Sequence, residues 1–92
     1  SDIVYSFIQD NLNVTRDEGD VINSSKLYEV YEAYHKDNAD SERMLTKRGL
    51  TRRLAKFKID ISTKQKVIDD NRVKIKQYTG VTFKATPKAA KF

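Results

Sequence analysis

The sequence predicts an α+β domain in which three helices are followed by a β-hairpin, and two periodicities lead to this fold class. Apolar residues recur at intervals of three and four through the first half of the chain, which is the helical period. After Lys58 they alternate with polar residues, which is the strand period. A chain of 92 residues is one small domain that encloses little space, so we expect any binding site on its outer surface.

The first helix is expected over about residues 2–13, where the apolar residues have helical spacing and Asp2 is the expected N-cap. The polar stretch from Asn13 to Asp20 predicts a loop. Val21 and Ile22 are too few for an independent strand, but they can add one rung to the edge of a sheet.

A second helix is expected over about residues 24–38, with Ser24 or Ser25 as its N-cap. Helically spaced aromatic residues usually pack into a core. The helix contains three tyrosines. Tyr28 is expected to be exposed, and Tyr31 and Tyr34 are expected to lie in the core with their hydroxyls at its rim.

The third helix is purely cationic on its polar side. Thr46 is the expected N-cap, and Leu50, Leu54 and Phe57 recur on one stripe that can face the core. No acid occurs between Arg43 and Lys58, so the opposite side carries only positive charge. This pattern indicates a helix that is anchored on one side and presented to phosphates on the other.

A β-hairpin is expected after the third helix. Apolar and polar residues alternate from Ile59 to Val67 and again from Val73 to Gln77. The turn signal Asp69-Asp70-Asn71 lies between these two stretches. The alternation predicts one apolar and one cationic side. The second strand is expected to continue through Tyr78 to Phe83, with a bend or bulge at Gly80.

The charge is divided between the two halves of the chain. Residues 1–42 contain ten acids and three bases, a net −7, and residues 43–92 contain fifteen bases and three acids, a net +12. Such asymmetry is typical of a protein with a polyanionic partner, either nucleic acid or an anionic membrane. Residues 1–84 are the expected domain, and residues 85–92 are expected to be a flexible basic tail.

Two helices joined by a short connection form a helix-turn-helix unit, and a hairpin directly after them is the wing of a winged helix. In that fold the third helix lies in the major groove of duplex DNA and the hairpin contacts the flanking backbone. The two most basic elements of this chain are the two that would touch DNA. Double-stranded DNA is therefore the expected partner.

Arg48 and Arg52 lie one turn apart on the outward side of the third helix and are the candidates for bidentate contacts to guanine, each worth about 1–3 kcal/mol of discrimination. Thr51 is the candidate for a base edge or a thymine methyl group. The candidate phosphate contacts are Lys47, Arg53 and Lys56 on the helix, Lys64, Lys66, Arg72, Lys74 and Lys76 on the hairpin, and Ser24, Ser25 and Lys26 at the start of the second helix.

The sequence predicts no enzymatic activity, cofactor or metal site. Its three glycines are far apart and form no phosphate-binding loop, and cysteine is absent. His35 is the single histidine, which supports neither a metal site nor a catalytic triad, and it is expected to be exposed and structural. No apolar run approaches the length of about 18 residues that spans a bilayer, and we expect a cytoplasmic, monomeric domain.

Three segments resemble a known family. They are Ser24-Ser-Lys-Leu-Tyr-Glu-Val-Tyr-Glu-Ala-Tyr34, Leu45-Thr-Lys-Arg-Gly-Leu-Thr-Arg-Arg-Leu-Ala-Lys-Phe57 and Tyr78-Thr-Gly-Val-Thr-Phe83. Together they resemble the C-terminal winged-helix domain of phage, plasmid and poxvirus-type primase–helicases, which are superfamily 3 replicative ATPases. The resemblance implies a DNA-binding appendage of a replication initiator, with the origin as a candidate target and the helicase ring of the parent protein as a partner.

Other functions remain open. A winged-helix transcription regulator would share the same DNA contacts. A protein-interaction module that positions a replication partner would not depend on Arg48 and Arg52. Membrane binding is less favoured, because the basic helix has a narrow apolar stripe and the chain has no tryptophan.

Overall fold

The computed structural model describes residues 2–84, and within them three helices and five strands confirm the α+β class. The predicted tail at 85–92 lies outside the described residues. The elements in chain order are α1 (Ile3–Asn11), β1 (Leu12–Val14), β2 (Val21–Asn23), α2 (Ser24–Asn38), α3 (Lys47–Lys56), β3 (Ile61–Ile68), β4 (Asn71–Thr79) and β5 (Val81–Phe83).

The strands form two small antiparallel sheets. One has the order β2-β4-β3, and the other pairs β1 with β5. The predicted rung at Val21 and Ile22 is confirmed, because Ile22 lies opposite Tyr78 in β4. Strand β1 was not predicted: the first helix ends two residues earlier than expected, and Leu12 is already extended.

Gly80 is the bend between β4 and β5, as the sequence predicts. Its φ of +75° is a conformation that L side chains rarely adopt. Its carbonyl oxygen accepts hydrogen bonds from the amides of Thr15 and Arg16, at 2.9 and 3.0 Å. A Cβ at this position would lie 3.2 Å from the Cα of Arg16, so glycine allows the backbone segments to approach.

The core lies between the helices and the inner side of the sheets. Each helix contributes fully buried side chains, and Phe7 meets Tyr31 edge-on with ring centroids 5.7 Å apart. The buried apolar residues are Val4, Phe7, Ile8, Leu12, Ile22, Leu27, Tyr31, Leu50, Leu54, Ile59, Tyr78 and Val81.

The tyrosines of α2 hold the segment that enters α3. The Tyr31 hydroxyl accepts a hydrogen bond from the Leu45 amide at 3.0 Å, and the Tyr28 hydroxyl donates to the Leu45 carbonyl oxygen at 2.7 Å. The core position of Tyr31 is confirmed. The prediction that Tyr28 is exposed is wrong, because this hydrogen bond keeps its ring half-buried against the protein.

Tyr34 is half-buried at the rim of the core, where its hydroxyl donates to Asp10 Oδ2 at 2.7 Å. Burial and the neighbouring Asp10 carboxylate disfavour the tyrosinate and raise the pKa of Tyr34 from 10.0 to about 12. A raised pKa in the folded state contributes stability that is complete below the unfolded value and is lost as the pH rises through the folded value.

We therefore expect the stability advantage of the native protein over Tyr34→Phe to shrink between pH 10 and about pH 12. Urea unfolding of both proteins across this range measures the difference, and titrations of other groups are common to both. A difference that is independent of pH would contradict the assignment.

Two sequence-based assignments on α2 are wrong. The N-cap is Asn23, not Ser24 or Ser25: its Oδ1 accepts from the amides of Ser25 and Lys26, at 2.9 and 3.2 Å. His35 is buried, with 8% of its surface exposed, because it lies on the same side of the helix as Tyr31. Its Nε2 has no hydrogen-bond partner among the described residues.

Asp2 joins the start of α1 to α3. Its Oδ1 accepts from the Val4 and Tyr5 amides, at 3.0 and 3.3 Å, and from Arg53 Nη2 at 2.9 Å. Burial disfavours the carboxylate, but the Tyr5 amide and the Arg53 guanidinium stabilise it more, and the pKa of Asp2 lies below its ordinary value. The cap predicted from sequence is thus confirmed and has a second role.

Asp2→Ala is expected to lower the free energy of unfolding by about 1 kcal/mol, the usual contribution of a helix cap. Asp2→Asn keeps an acceptor for the helix amides and loses only the exposed ion pair with Arg53, so it should cost less. Thermal unfolding of the three proteins at neutral pH measures both changes. Equal stability of the native protein and Asp2→Ala would contradict the capping role.

Candidate nucleic-acid interface

Helix α3 is anchored as its sequence pattern predicts. The Thr46 Oγ1 caps it by accepting from the Gly49 amide at 3.0 Å. Leu50 and Leu54 are buried, with 1% and 0% of their surfaces exposed. A Cβ on Gly49 would meet Thr46 Oγ1 at 3.3 Å, so the close approach at this glycine is to the helix's own cap.

The outward side of α3 presents positive charge. Arg48, Arg52 and Lys56 are exposed, as is Lys47 in the first turn. The Nζ of Lys47 donates to Ser25 Oγ at 2.9 Å, which links the first turns of α3 and α2. The expected polarity of α3, with its leucines inward and its guanidinium groups at Arg48 and Arg52 outward, is therefore present.

Two residues of α3 expected to contact DNA make internal contacts. Arg53 pairs with Asp2 on the side of the helix that packs toward α1, and it lines a different surface depression from Arg48. The Thr51 hydroxyl donates to the Lys47 carbonyl oxygen at 3.0 Å and lies 2.8 Å from the Tyr78 hydroxyl. Burial raises the pKa of Tyr78, although the contact with Thr51 opposes this rise.

The hairpin does not have the predicted single cationic side. Asp69 and Asp70, with φ values of 51° and 63°, form a two-residue turn that pairs Ile68 with Asn71. Even-numbered residues of β3 therefore share a face with odd-numbered residues of β4, because directly paired residues point the same way. The sequence-based prediction placed all the hairpin cations, which have even numbers, on one side of the hairpin. That prediction is wrong.

We call the two sides of the hairpin the inner and the outer face. The inner face turns toward the helices, since Tyr78 on it contacts Thr51 of α3. The inner face carries Arg72, Lys74 and Lys76 opposite Val67, Gln65 and Thr63, and the outer face carries Lys64 and Lys66 opposite Ile75 and Val73.

A groove separates α3 from the inner face of the hairpin. Its volume is about 470 Å³, and no acidic residue lines it. Three cations from both elements, Lys47, Arg48 and Lys76, meet along it. The full lining is Ser24, Tyr28, Lys47, Arg48, Thr51, Ile61, Thr63, Lys76 and Tyr78.

A second depression of about 300 Å³ extends this groove toward the start of α2 and adds Lys74 to its lining. Ser24 and Ser25, two of the candidate phosphate contacts, also line it. The amides of Ser25 and Lys26 are not free for a phosphate, however, because Asn23 already accepts from both. The sequence-based expectation relied on free amides at this point, and two of them already have a partner inside the protein.

The cations around the groove are not neutralised by the protein. Among residues 2–84, the one ion pair is that between Arg53 and Asp2. The exposed cations of α3 and of both hairpin faces thus form no ion pair with a described carboxylate. Positive charge concentrated without internal partners can interact with an external polyanion.

Metal-binding clusters and membrane-spanning helices are not found in the described part of the chain. No group of three or more side chains there is arranged to hold a metal ion. No described helix is long and apolar enough to cross a membrane. Comparison of the chain with protein-family models, curated proteins and solved structures gave no match.

Proposed function

We propose that this domain is a winged-helix module that binds duplex DNA. The observation that carries the proposal is the groove in which unpaired cations of α3 and of the hairpin's inner face meet without an acid. A phosphate backbone carries closely spaced negative charges and can meet several cations at once. The large excess of bases in residues 43–92 agrees with such a partner.

In the proposed complex α3 enters the major groove, which is wide enough for a helix, and one backbone strand runs between α3 and the hairpin. Arg48 and Arg52 are exposed and reach the base edges. Lys47, Lys74 and Lys76 border the groove and contact phosphates. Arg53 contributes to the fold through Asp2, and we leave it out of the interface.

The biological setting is proposed from the resemblance of three segments to the primase–helicase family. In that setting the module brings a replicative helicase ring to duplex DNA at or near an origin. A single module binds weakly, and several modules in one ring gain affinity through their high effective concentration.

The proposal is tested by fluorescence anisotropy with a labelled duplex across a series of salt concentrations. If about five phosphates are neutralised, the logarithm of the affinity should fall with the logarithm of the salt concentration with a slope of about −4.5. A scrambled duplex of the same length measures sequence preference. An affinity independent of salt would contradict DNA binding.

The two faces of the hairpin give a matched test. Lys74→Ala with Lys76→Ala removes two charges from the inner face and should reduce the magnitude of the salt slope by about 2. Lys64→Ala with Lys66→Ala removes two charges from the same hairpin on its outer face and should change the slope less. Equal effects of the two double variants would contradict the proposed orientation of the hairpin.

A second candidate function is favoured by the tip of the hairpin. Val67 on the inner face and Ile68 on the outer face are 71% and 49% exposed there, and large exposed apolar side chains can mark contact with a protein. On this alternative the module positions a replication partner. Val67→Ser with Ile68→Ser would then abolish partner binding, whereas Arg48→Ala with Arg52→Ala would leave the affinity for DNA unchanged.

A further inference from the structure

The groove between α3 and the hairpin combines two kinds of chemistry. Its rim is cationic, with Lys47, Arg48 and Lys76, whereas Tyr28, Ile61 and Tyr78 give it an apolar and aromatic floor. Its volume of about 470 Å³ falls within the usual range of sites for small organic ligands. A site that contacts only a phosphodiester backbone needs cations and does not need an apolar floor.

Of the two tyrosines, Tyr28 is half-buried and offers part of its ring to the groove, whereas Tyr78 is buried, with 2% of its surface exposed, and closes the groove from below. The Tyr28 hydroxyl donates to the Leu45 carbonyl oxygen at 2.7 Å, and the Tyr78 hydroxyl lies 2.8 Å from Thr51 Oγ1. Both polar groups are therefore satisfied inside the protein. A flat aromatic ligand can cover the remaining apolar surface. Any of the nucleobases can stack on such a surface, because each has an aromatic face.

A paired base in a duplex is not available to this groove, because it is stacked between its neighbours and extruding it costs stacking and pairing energy. A base in a single-stranded extension is free to turn outward. We propose that the groove binds one unpaired nucleotide, with its base on the floor and its phosphate at the cationic rim. The module then prefers duplexes that end in a single strand, a preference that rests on the DNA binding proposed above.

The test compares five labelled DNAs that share one duplex: a blunt form, two forms with a three-nucleotide extension at the 3′ or the 5′ end, and the same two extensions built from abasic residues. The abasic extension keeps every phosphate and lacks only the bases. The native domain is expected to bind one of the base-bearing extensions about tenfold more tightly than its abasic match. If the base-bearing and the abasic extension bind with equal affinity at both the 3′ and the 5′ end, the proposal is overturned.

Two variants at one position separate stacking from folding. Tyr28→Phe keeps the ring and should keep the tenfold ratio, whereas Tyr28→Leu removes the ring and should bring the ratio close to one. Both lose the hydrogen bond to Leu45, so thermal unfolding shows whether they are equally folded. A ratio that is the same in both variants would overturn the assignment of Tyr28.

A free nucleoside monophosphate, added as competitor, shows whether the groove takes its nucleotide from a DNA strand or from solution. It should remove the advantage of the base-bearing extension and should weaken binding of the blunt duplex less, because the duplex also contacts cations outside the groove. Capture of the free nucleotide without any advantage for an extended strand would overturn the proposal. Failure of the underlying DNA binding gives a different result, since the blunt duplex would then also not bind.

Discussion

Replacing Arg48 and Arg52 together with alanine is expected to weaken binding to duplex DNA by about 100-fold. Each bidentate arginine–guanine contact is worth about 1–3 kcal/mol, and about 1.4 kcal/mol corresponds to a factor of ten. Both side chains are exposed and form no ion pair with a described carboxylate, so their loss should not unfold the domain. Fluorescence anisotropy measures the affinity, and circular dichroism checks the fold.

The matched control is Lys64→Ala with Lys66→Ala, which lowers the net charge by the same amount on the outer face of the hairpin. If general attraction between opposite charges explains the binding, the two double variants will weaken it equally. If α3 reads base edges, the arginine variant will lose more affinity and will also lose any preference for one sequence over a scrambled one.

The Leu54→Ala variant is expected to lower the free energy of unfolding by about 3 kcal/mol. Leu54 is fully buried on the inward stripe of α3, and removing a buried leucine side chain costs its burial energy plus the cost of the cavity. A domain of this size has a total stability of roughly 5–14 kcal/mol, so the loss is a large share of it. Urea unfolding measures the change.

The control for this prediction is Leu45→Ala, the same chemical change at a half-buried position that contacts the core from its edge. Its hydrogen bonds to Tyr28 and Tyr31 use backbone atoms and survive the substitution. The loss of stability should therefore be smaller than for Leu54→Ala. Equal losses would contradict the position of α3 over the core.

The long elements of the fold follow from sequence because they depend on local patterns. Leucine spacing and the Thr46 cap predict α3, and strand alternation around Asp69 and Asp70 predicts the hairpin. Strand β1 is different. Three residues carry no measurable period, and Leu12–Val14 is a strand only because β5 lies beside it. Such pairing depends on tertiary contacts.

The site was predictable only in part for a similar reason. The outward position of Arg48 and Arg52 follows from the helical period. The distribution of hairpin cations over two faces follows from a turn of two residues, and counting the residues between the paired strands would have revealed it. The engagement of Arg53 by Asp2 joins residues distant in the chain, and no local pattern indicates it.

The groove is also a product of the assembled fold. Its lining comes from α2, α3 and both strands of the hairpin. Tyr28 was expected on the surface as one exposed ring, but its hydrogen bond to Leu45 holds it at the groove. The polar and apolar residues that meet there are far apart in sequence, so their combination was not visible before the elements were packed.

The most direct test of the proposed DNA contact is a nuclear magnetic resonance titration of the isotope-labelled domain with a short duplex. The largest amide shifts are expected over Lys47–Lys56, in Arg72–Lys76 and at the first turn of α2, the three segments around the groove. Shifts concentrated in α1 and the acidic loop between β1 and β2, with α3 unchanged, would contradict it.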